Sequence, residues 1–210
     1  GVMDEVYERK LATAADCVIS AVNYWYNAEL ARIAVDGRAH FVDLGGNNDV
    51  VTQEDALDAA FPRLRRVGIY ANARDILDKS EDDLAMLHQK HLEIVYLGLE
   101  SGSDEVLRRV CKNATAAEMI EAVQKAQRAG LRASVIGLLG IGGTELSSHH
   151  AEETGRVVSA MDPHYFSLLT LMLVPGTELH RQWREGTFRM MGPEELLAEM
   201  REILLHLDGL

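Results

Sequence analysis

The sequence predicts an α/β protein: a partial (β/α)6, TIM-like barrel of parallel strands. Three observations predict it. Six short β-rich runs alternate with longer segments of helical period, the order that gives parallel strands joined by crossover helices. Most of the runs are near-continuous in Val, Ile, Leu and Tyr rather than strictly alternating, as strands covered on both faces are. Polar or glycine clusters then follow strand after strand, as they do at the C-terminal mouth of a barrel. The first strand is not followed by a glycine-rich loop of the dinucleotide type, which favours a barrel over an open doubly wound sheet.

Taken in order, the β-rich runs fall at 17–22, 39–44, 66–71, 92–99, 132–139 and 165–173. Asn23, Tyr24, Trp25 and Tyr26 lead from the first run straight into a helix. Ser103 caps another helix, with Asp104 and Glu105 in the first turn where the helix dipole favours acids. The helix at 115–129 opens with a capping box, Thr115 and Glu118, and stops at Gly130. Its apolar stripe is Met119, Ile120, Val123 and Ala126. Further helices are expected at 147–161 and 193–207, the latter with Pro193 in its first turn. No linker, low-complexity tract or charge block interrupts the chain, so 1–210 is expected to be one domain. An incomplete barrel exposes strand edges, and the helix at 193–207 is the candidate to cover them.

Composition narrows the function. The chain has 210 residues, 47% of them apolar, enough for one sizeable core. Its 33 acidic and 21 basic side chains give a net charge of −12, which argues against broad binding to nucleic acid or to an anionic membrane surface. Two cysteines, Cys17 and Cys111, make neither a disulfide scaffold nor a self-contained metal site, and they suit a reducing compartment. The longest apolar stretch falls far short of the roughly 20 residues of a membrane span, and the N-terminus lacks a signal-peptide pattern. A cytoplasmic protein is expected.

Candidate chemistry gathers after the strands. Glu100, Ser101, Gly102 and Ser103 close the fourth run. A capping turn accounts for Ser103. It accounts poorly for an acid that completes a buried strand, so Glu100 and Ser101 are the favoured ligand residues. Gly45, Gly46, Asn47 and Asn48 follow the second run, where bare backbone lets a ligand approach or simply makes a turn. Gly140, Ile141, Gly142 and Gly143 read the same two ways. Asn72, Arg74 and Asp75 follow the third run. Arg74 is suited to clamp an anionic group and equally suited to pair with a neighbouring acid. Cys111 is expected to be a packing residue, and the adjacent His149 and His150, which on a helix point about 100° apart, are expected at the surface or an interface. The Leu and Met run ending at Met172 reads as core, with its last residues able to line a flat pocket.

Several strings together resemble a known family: YLGLESGSDEVL at 96–107, VGIYANARDIL at 67–77, LLGIGG at 138–143, DPHYF at 162–166 and LVPGT at 173–177. They resemble the radical S-adenosylmethionine (radical SAM) superfamily, in the branch related to oxygen-independent coproporphyrinogen oxidase and the elongator catalytic subunit. The resemblance runs from about residue 39 onward and implies a partial (β/α)6 barrel. It also implies an iron–sulfur enzyme of oxidoreductase type. A [4Fe-4S] cluster would cleave S-adenosylmethionine reductively and give a 5′-deoxyadenosyl radical. By position, Gly45, Gly46 and Asn47 would hold the methionine amino group. Glu100 and Ser101 would face the ribose and methionine. Ile136, Leu138 and Gly140 would wall the adenine, with Thr170 and Met172 beside it. Asn72 and Arg74 would face the substrate, a small molecule or peptide. A second copy or a partner domain would close the open side.

One departure stands out. The family holds its cluster with three cysteines, C-x3-C-x2-C, after the first strand, and this chain has none there. Two readings stay open. Either a cluster loop is missing at the join of Val22 and Asn23, which an abnormal Cα spacing would reveal, or the barrel is a degenerate binding or interaction module without radical chemistry. An aldolase-like lyase fits less well, because no strand ends in a lysine.

Overall fold

The computed structural model describes residues 10, 12–14, 17–20, 26–43 and 67–208. Among these are six strands in two parallel sheets, with helices between the successive strands of each sheet. β1 (Cys17–Ser20) pairs with β2 (His40–Asp43), and helix α1 (Asn27–Gly37) lies between them in the chain. A four-stranded sheet follows in the order β3 (Val67–Ala71), β4 (Leu92–Glu100), β5 (Arg132–Leu139) and β6 (Tyr165–Thr170). This is the expected parallel α/β architecture. The join of Val22 and Asn23 lies outside the described residues.

Local sequence accounts for the helices between the strands. α2 (Ala73–Leu77) and α3 (Glu81–Gln89) each start with a capping box, Asn72 with Asp75 and Ser80 with Asp83. Ser103 caps α4 (Asp104–Arg109), accepting the Val106 N–H. α5 (Ala116–Arg128) opens on the Thr115 and Glu118 box and ends before Gly130, whose φ of +91° suits a residue without Cβ. α6 (Gly143–Met161) starts four residues earlier than expected and takes the last of the glycine cluster into its first turn. α7 (Glu178–Arg184) and α8 (Pro193–Leu205) complete the described chain. None of the described helices is long and apolar enough to cross a membrane.

The core lies between the sheet and one helical layer. Val95, Leu97 and Leu99 of β4 and Ala133 and Val135 of β5 face Met119, Val123 and Ala126 of α5 and Val157, Val158 and Met161 of α6. Burying each large aliphatic side chain contributes about 1.5–3 kcal/mol. Because side chains alternate along a strand, Tyr96, Gly98, Ser134, Ile136 and Leu138 occupy the opposite, inner face. That face is open among the described residues: Tyr165 is 52% and Leu169 56% exposed.

Ile203 packs with Leu139 and Ala151, joined by Leu196, Met200, Phe166 and Leu168, so α8 belongs to the helical layer over α6, β5 and β6. β6 ends three residues before its expected limit, since Leu171 makes the last backbone bond to β5.

The closest packing occurs where the loop after β4 meets α6. A Cβ on Gly102 would overlap the Glu153 carbonyl and stand 2.7 Å from Thr154 Cα, both helix backbone. Backbone cannot swing aside as a side chain does. Gly102→Ala is therefore expected to lower stability by about 2 kcal/mol or more, read as a lower urea midpoint in equilibrium unfolding. An unchanged midpoint would refute the close-packing argument.

Candidate functional site

The ends of β3, β4 and β5 form the rim. At the end of β4, Glu100 adopts a left-handed backbone, φ +61°, at a break in the register between β4 and β5. The bulge turns its carboxylate back over Gly98, where Oε1 accepts from Lys112 Nζ at 3.1 Å. Gly98 makes the arrangement fit. A Cβ there would overlap Glu100 Oε1 and stand 3.4 Å from Lys112 Nζ. The two side chains keep 27% and 25% of their surface, so the pair is reachable. Beside it on the inner face, Tyr70 stacks on Tyr96, with ring centroids 5.1 Å apart.

The rest of the Glu100–Ser103 turn serves the fold. Ser101 is fully buried, its Oγ 2.8 Å from His150 Nδ1, and it accepts the Ser103 N–H at 3.0 Å. Gly102 N–H donates to Thr154 Oγ1 at 2.9 Å. Of the two favoured residues, Glu100 faces outward and Ser101 is held inside.

The remaining expected residues separate. Ile136 and Leu138 lie half-buried on the inner face. Gly140, at φ +80°, follows β5, but its N–H already donates to Glu199 Oε1 at 2.6 Å. Thr170, expected beside the adenine, ends β6. It pairs in register with Leu139, on the face opposite Leu138, because alternation places neighbours on opposite sides. Met172 is 82% exposed beyond the end of β6. Asn72 sits at the rim as the α2 cap, its Oδ1 accepting from Asp75 N–H at 3.0 Å. Arg74 is exposed beside the start of α5, where its charge adds a little to the Thr115 N–H and hydroxyl bonds that hold the Glu118 carboxyl below its ordinary range. Gly45, Gly46 and Asn47 lie outside the described residues.

Two expectations are corrected. His150 is not a surface residue: it is fully buried among Ser101, Thr154 and Glu199. Cys111 is exposed rather than packed, because the chain turns outward there with φ +57°. Sequence reasoning missed Lys112, which reaches Glu100 across a whole helix and so leaves no periodic trace. It also missed Glu199, for which a signal existed: an acid on the apolar stripe of α8, between Leu196 and Ile203.

Fold and rim together define a parallel (β/α) barrel protein with its candidate site at the C-terminal ends of the strands. The radical SAM superfamily profile matches residues 27–153, more than half of the chain, and the chain belongs to that superfamily. Among solved structures, it resembles the archaeal Methanocaldococcus infernus Elp3 with an N-terminal deletion (TM-score 0.61, 17% identity, covering 96% of this chain and 49% of that one). It also resembles coproporphyrinogen III oxidase (HemN) from Escherichia coli, a radical SAM enzyme (TM-score 0.61, 13% identity, 97% and 46%). A third likeness is to the methylornithine synthase PylB (TM-score 0.52, 14% identity, 99% and 54%). The chain thus spans about half the length of these relatives, and at such identities the likeness establishes the partial barrel fold. No curated protein matches it.

The family implies S-adenosylmethionine and a [4Fe-4S] cluster. Holding such a cluster in the family's way takes three thiolates. The whole sequence has two, and Cys111 lies exposed beyond α4. Among the described residues, no group of three His, Cys, Asp or Glu side chains could hold a metal ion. The donor set of this chain does not fit the cluster.

Burial lowers the pKa of His150 to about 4, with a smaller contribution from His149. Burial raises that of Glu199, partly offset by the Ser147 hydroxyl and the Gly140 N–H. The signs follow. A depressed His contributes stability above its unfolded value near 6.5, and that contribution fades as pH falls toward 4. A raised carboxyl contributes in the reverse sense, so the comparison must be made between variants. Wild type is expected to lose about 3 kcal/mol more than His150→Gln between pH 7 and pH 4, measured by urea unfolding. Parallel pH profiles would show that His150 does not titrate as its burial requires.

Proposed function

We propose that this chain is the S-adenosylmethionine-binding part of a radical SAM enzyme. Its inner face holds the adenosyl group against the ends of β4 and β5. The observation that carries the reading is Glu100: a carboxylate fixed in a left-handed turn, exposed over Gly98 and accompanied by Lys112. A carboxylate at that point can accept hydrogen bonds from two neighbouring ribose hydroxyls, and an ammonium beside it can meet a ligand carboxylate. Ile136 and Leu138 offer an apolar surface in the next strand for a flat ring, and the open inner face leaves room for a substrate, a small molecule or a peptide.

The family's radical chemistry requires a cluster, which the two cysteines of this chain do not hold. What its own residues supply is binding and orientation: Glu100 and Lys112 fix one end of the ligand, and the sheet excludes water from one side. The cysteine count favours a second reading for the chain alone, a barrel that binds a nucleoside without radical chemistry.

Titration calorimetry separates binding from no binding. S-adenosylmethionine is expected to bind wild type at one per chain and Glu100→Gln about ten-fold or more weakly, since a hydrogen bond to a charged group contributes about 1.5–3 kcal/mol. No heat with wild type, or equal affinity in the variant, would sink the assignment of Glu100.

Anaerobic reconstitution with iron and sulfide addresses the chemistry. The 210-residue chain is expected to take up no stoichiometric [4Fe-4S] cluster and to show no brown charge-transfer absorbance. One cluster per chain would overturn the conclusion drawn from the donor set.

A further inference from the structure

An acid lies buried where an apolar residue would pack better. Glu199 of α8 is 2% exposed. Its Oε1 accepts from Gly140 N–H at 2.6 Å and its Oε2 from the Ser147 hydroxyl at 2.5 Å. Oε1 also stands 3.7 Å from His150 Nε2, a buried nitrogen without a hydrogen-bond partner. Across the imidazole ring, Nδ1 meets Ser101 Oγ. Ser101 Oγ accepts the Ser103 N–H, so its own hydrogen is free for Nδ1. With that donation the imidazole hydrogen sits on Nε2, toward Glu199. The series Ser101, His150, Glu199 contains the groups of a charge-relay triad, but its serine is sealed from solvent and can attack nothing.

What the series does is connect. Glu199 bonds the loop after β5 directly, and it stands 3.7 Å from His150, which itself bonds the loop after β4 that carries Glu100. Burying a carboxylate is unfavourable unless its partners are well placed, so its presence on the apolar stripe of α8 is not explained by core packing. We propose that Glu199 is a positioning residue: from behind the sheet it fixes the loops after β4 and β5, and with them the ligand-binding face. The effect on ligand binding rests on the function proposed above; the effect on the loops does not.

The test combines backbone amide exchange with the same calorimetry on the 210-residue chain. In Glu199→Ala, amides of Ser101, Gly102, Ser103 and Gly140 are expected to exchange about ten-fold or more faster, while those inside β4 and β5 stay protected, as loss of one local network requires. Binding of S-adenosylmethionine is expected to weaken about ten-fold. Glu199→Gln still offers an oxygen to Gly140 N–H and is expected to recover most of both properties. Leu197→Ala, on the exposed face of the same helix, is expected to change neither. Should Glu199→Ala fail to fold, Ser147→Ala removes one of the two hydrogen bonds and is expected to speed exchange at the same four amides. The proposal is overturned if the amides of Ser101 to Ser103 exchange as in wild type, or if Leu197→Ala reproduces the effect. If wild type binds no S-adenosylmethionine, the functional reading falls and the exchange pattern alone decides the role of Glu199.

Discussion

The contact of Gly102 with the backbone of α6 is the constraint on which the rim depends. Where a side chain at 102 would force the loop away from the helix, its absence lets the N–H reach Thr154 Oγ1 and puts Ser101 against His150. With residues 101 to 103 held on the helix side, the chain must reverse at Glu100. The left-handed φ there and the register break between β4 and β5 express that reversal. The carboxylate is thereby aimed at the inner face, while the next three residues point the other way. One missing Cβ thus divides a four-residue motif into a part reachable from the inner face and a part held within the fold.

This division explains what the sequence could and could not reveal. The strands of the sheet and the caps at Asn72, Ser103 and Thr115 were legible, because buried parallel strands and capping residues have local signatures. The strand ends were also marked, since polar and glycine clusters follow the strands one after another. Which residues of the rim face a ligand was not legible. Ser101 and Glu100 are adjacent and equally polar, and a long-range contact with α6 decides between them. The side of the sheet that Thr170 takes was not legible for a related reason. The side of a sheet that a residue takes depends on register, and a one-residue difference reverses it. His150 was read as a surface or interface residue because adjacent histidines on a helix point about 100° apart and do not face one metal, yet α6 turns the second of them inward.

The polar groups of the rim are arranged in two layers with different tasks. On the helix side, Ser101, Ser103, His150 and Thr154 are buried and bonded around the loop after β4, while buried Glu199 bonds half-buried Ser147 and the Gly140 N–H. Inside a low-dielectric layer such a network defines one geometry, since each group left without its partner carries a penalty. On the inner face, Glu100 and Lys112 remain reachable over an uncluttered strand. Rigid support behind an open surface is the condition for holding a ligand in one orientation, and orientation is the protein's main contribution to reactions whose difficult step belongs to a cofactor.

The strain at Glu100 bears on why a carboxylate is there at all. A left-handed backbone at a residue with a Cβ costs about 1–2 kcal/mol, whereas glycine adopts it freely. If the turn existed only to lead β4 into α4, glycine would serve it better, as it does at 140 after β5 and at 130 before it. The ion pair with Lys112 does not offset the difference convincingly. At roughly a quarter exposure on each side, such pairs contribute on the order of 1 kcal/mol or less. Neither the turn nor the pair is then a sufficient reason for an acid at this position. A carboxylate kept in a strained turn, reachable from the open face and braced from behind by a buried network, is what a site for hydroxyl or amino groups of a ligand would retain. That reasoning uses stability alone, and it supports the same face that the family resemblance assigns to S-adenosylmethionine.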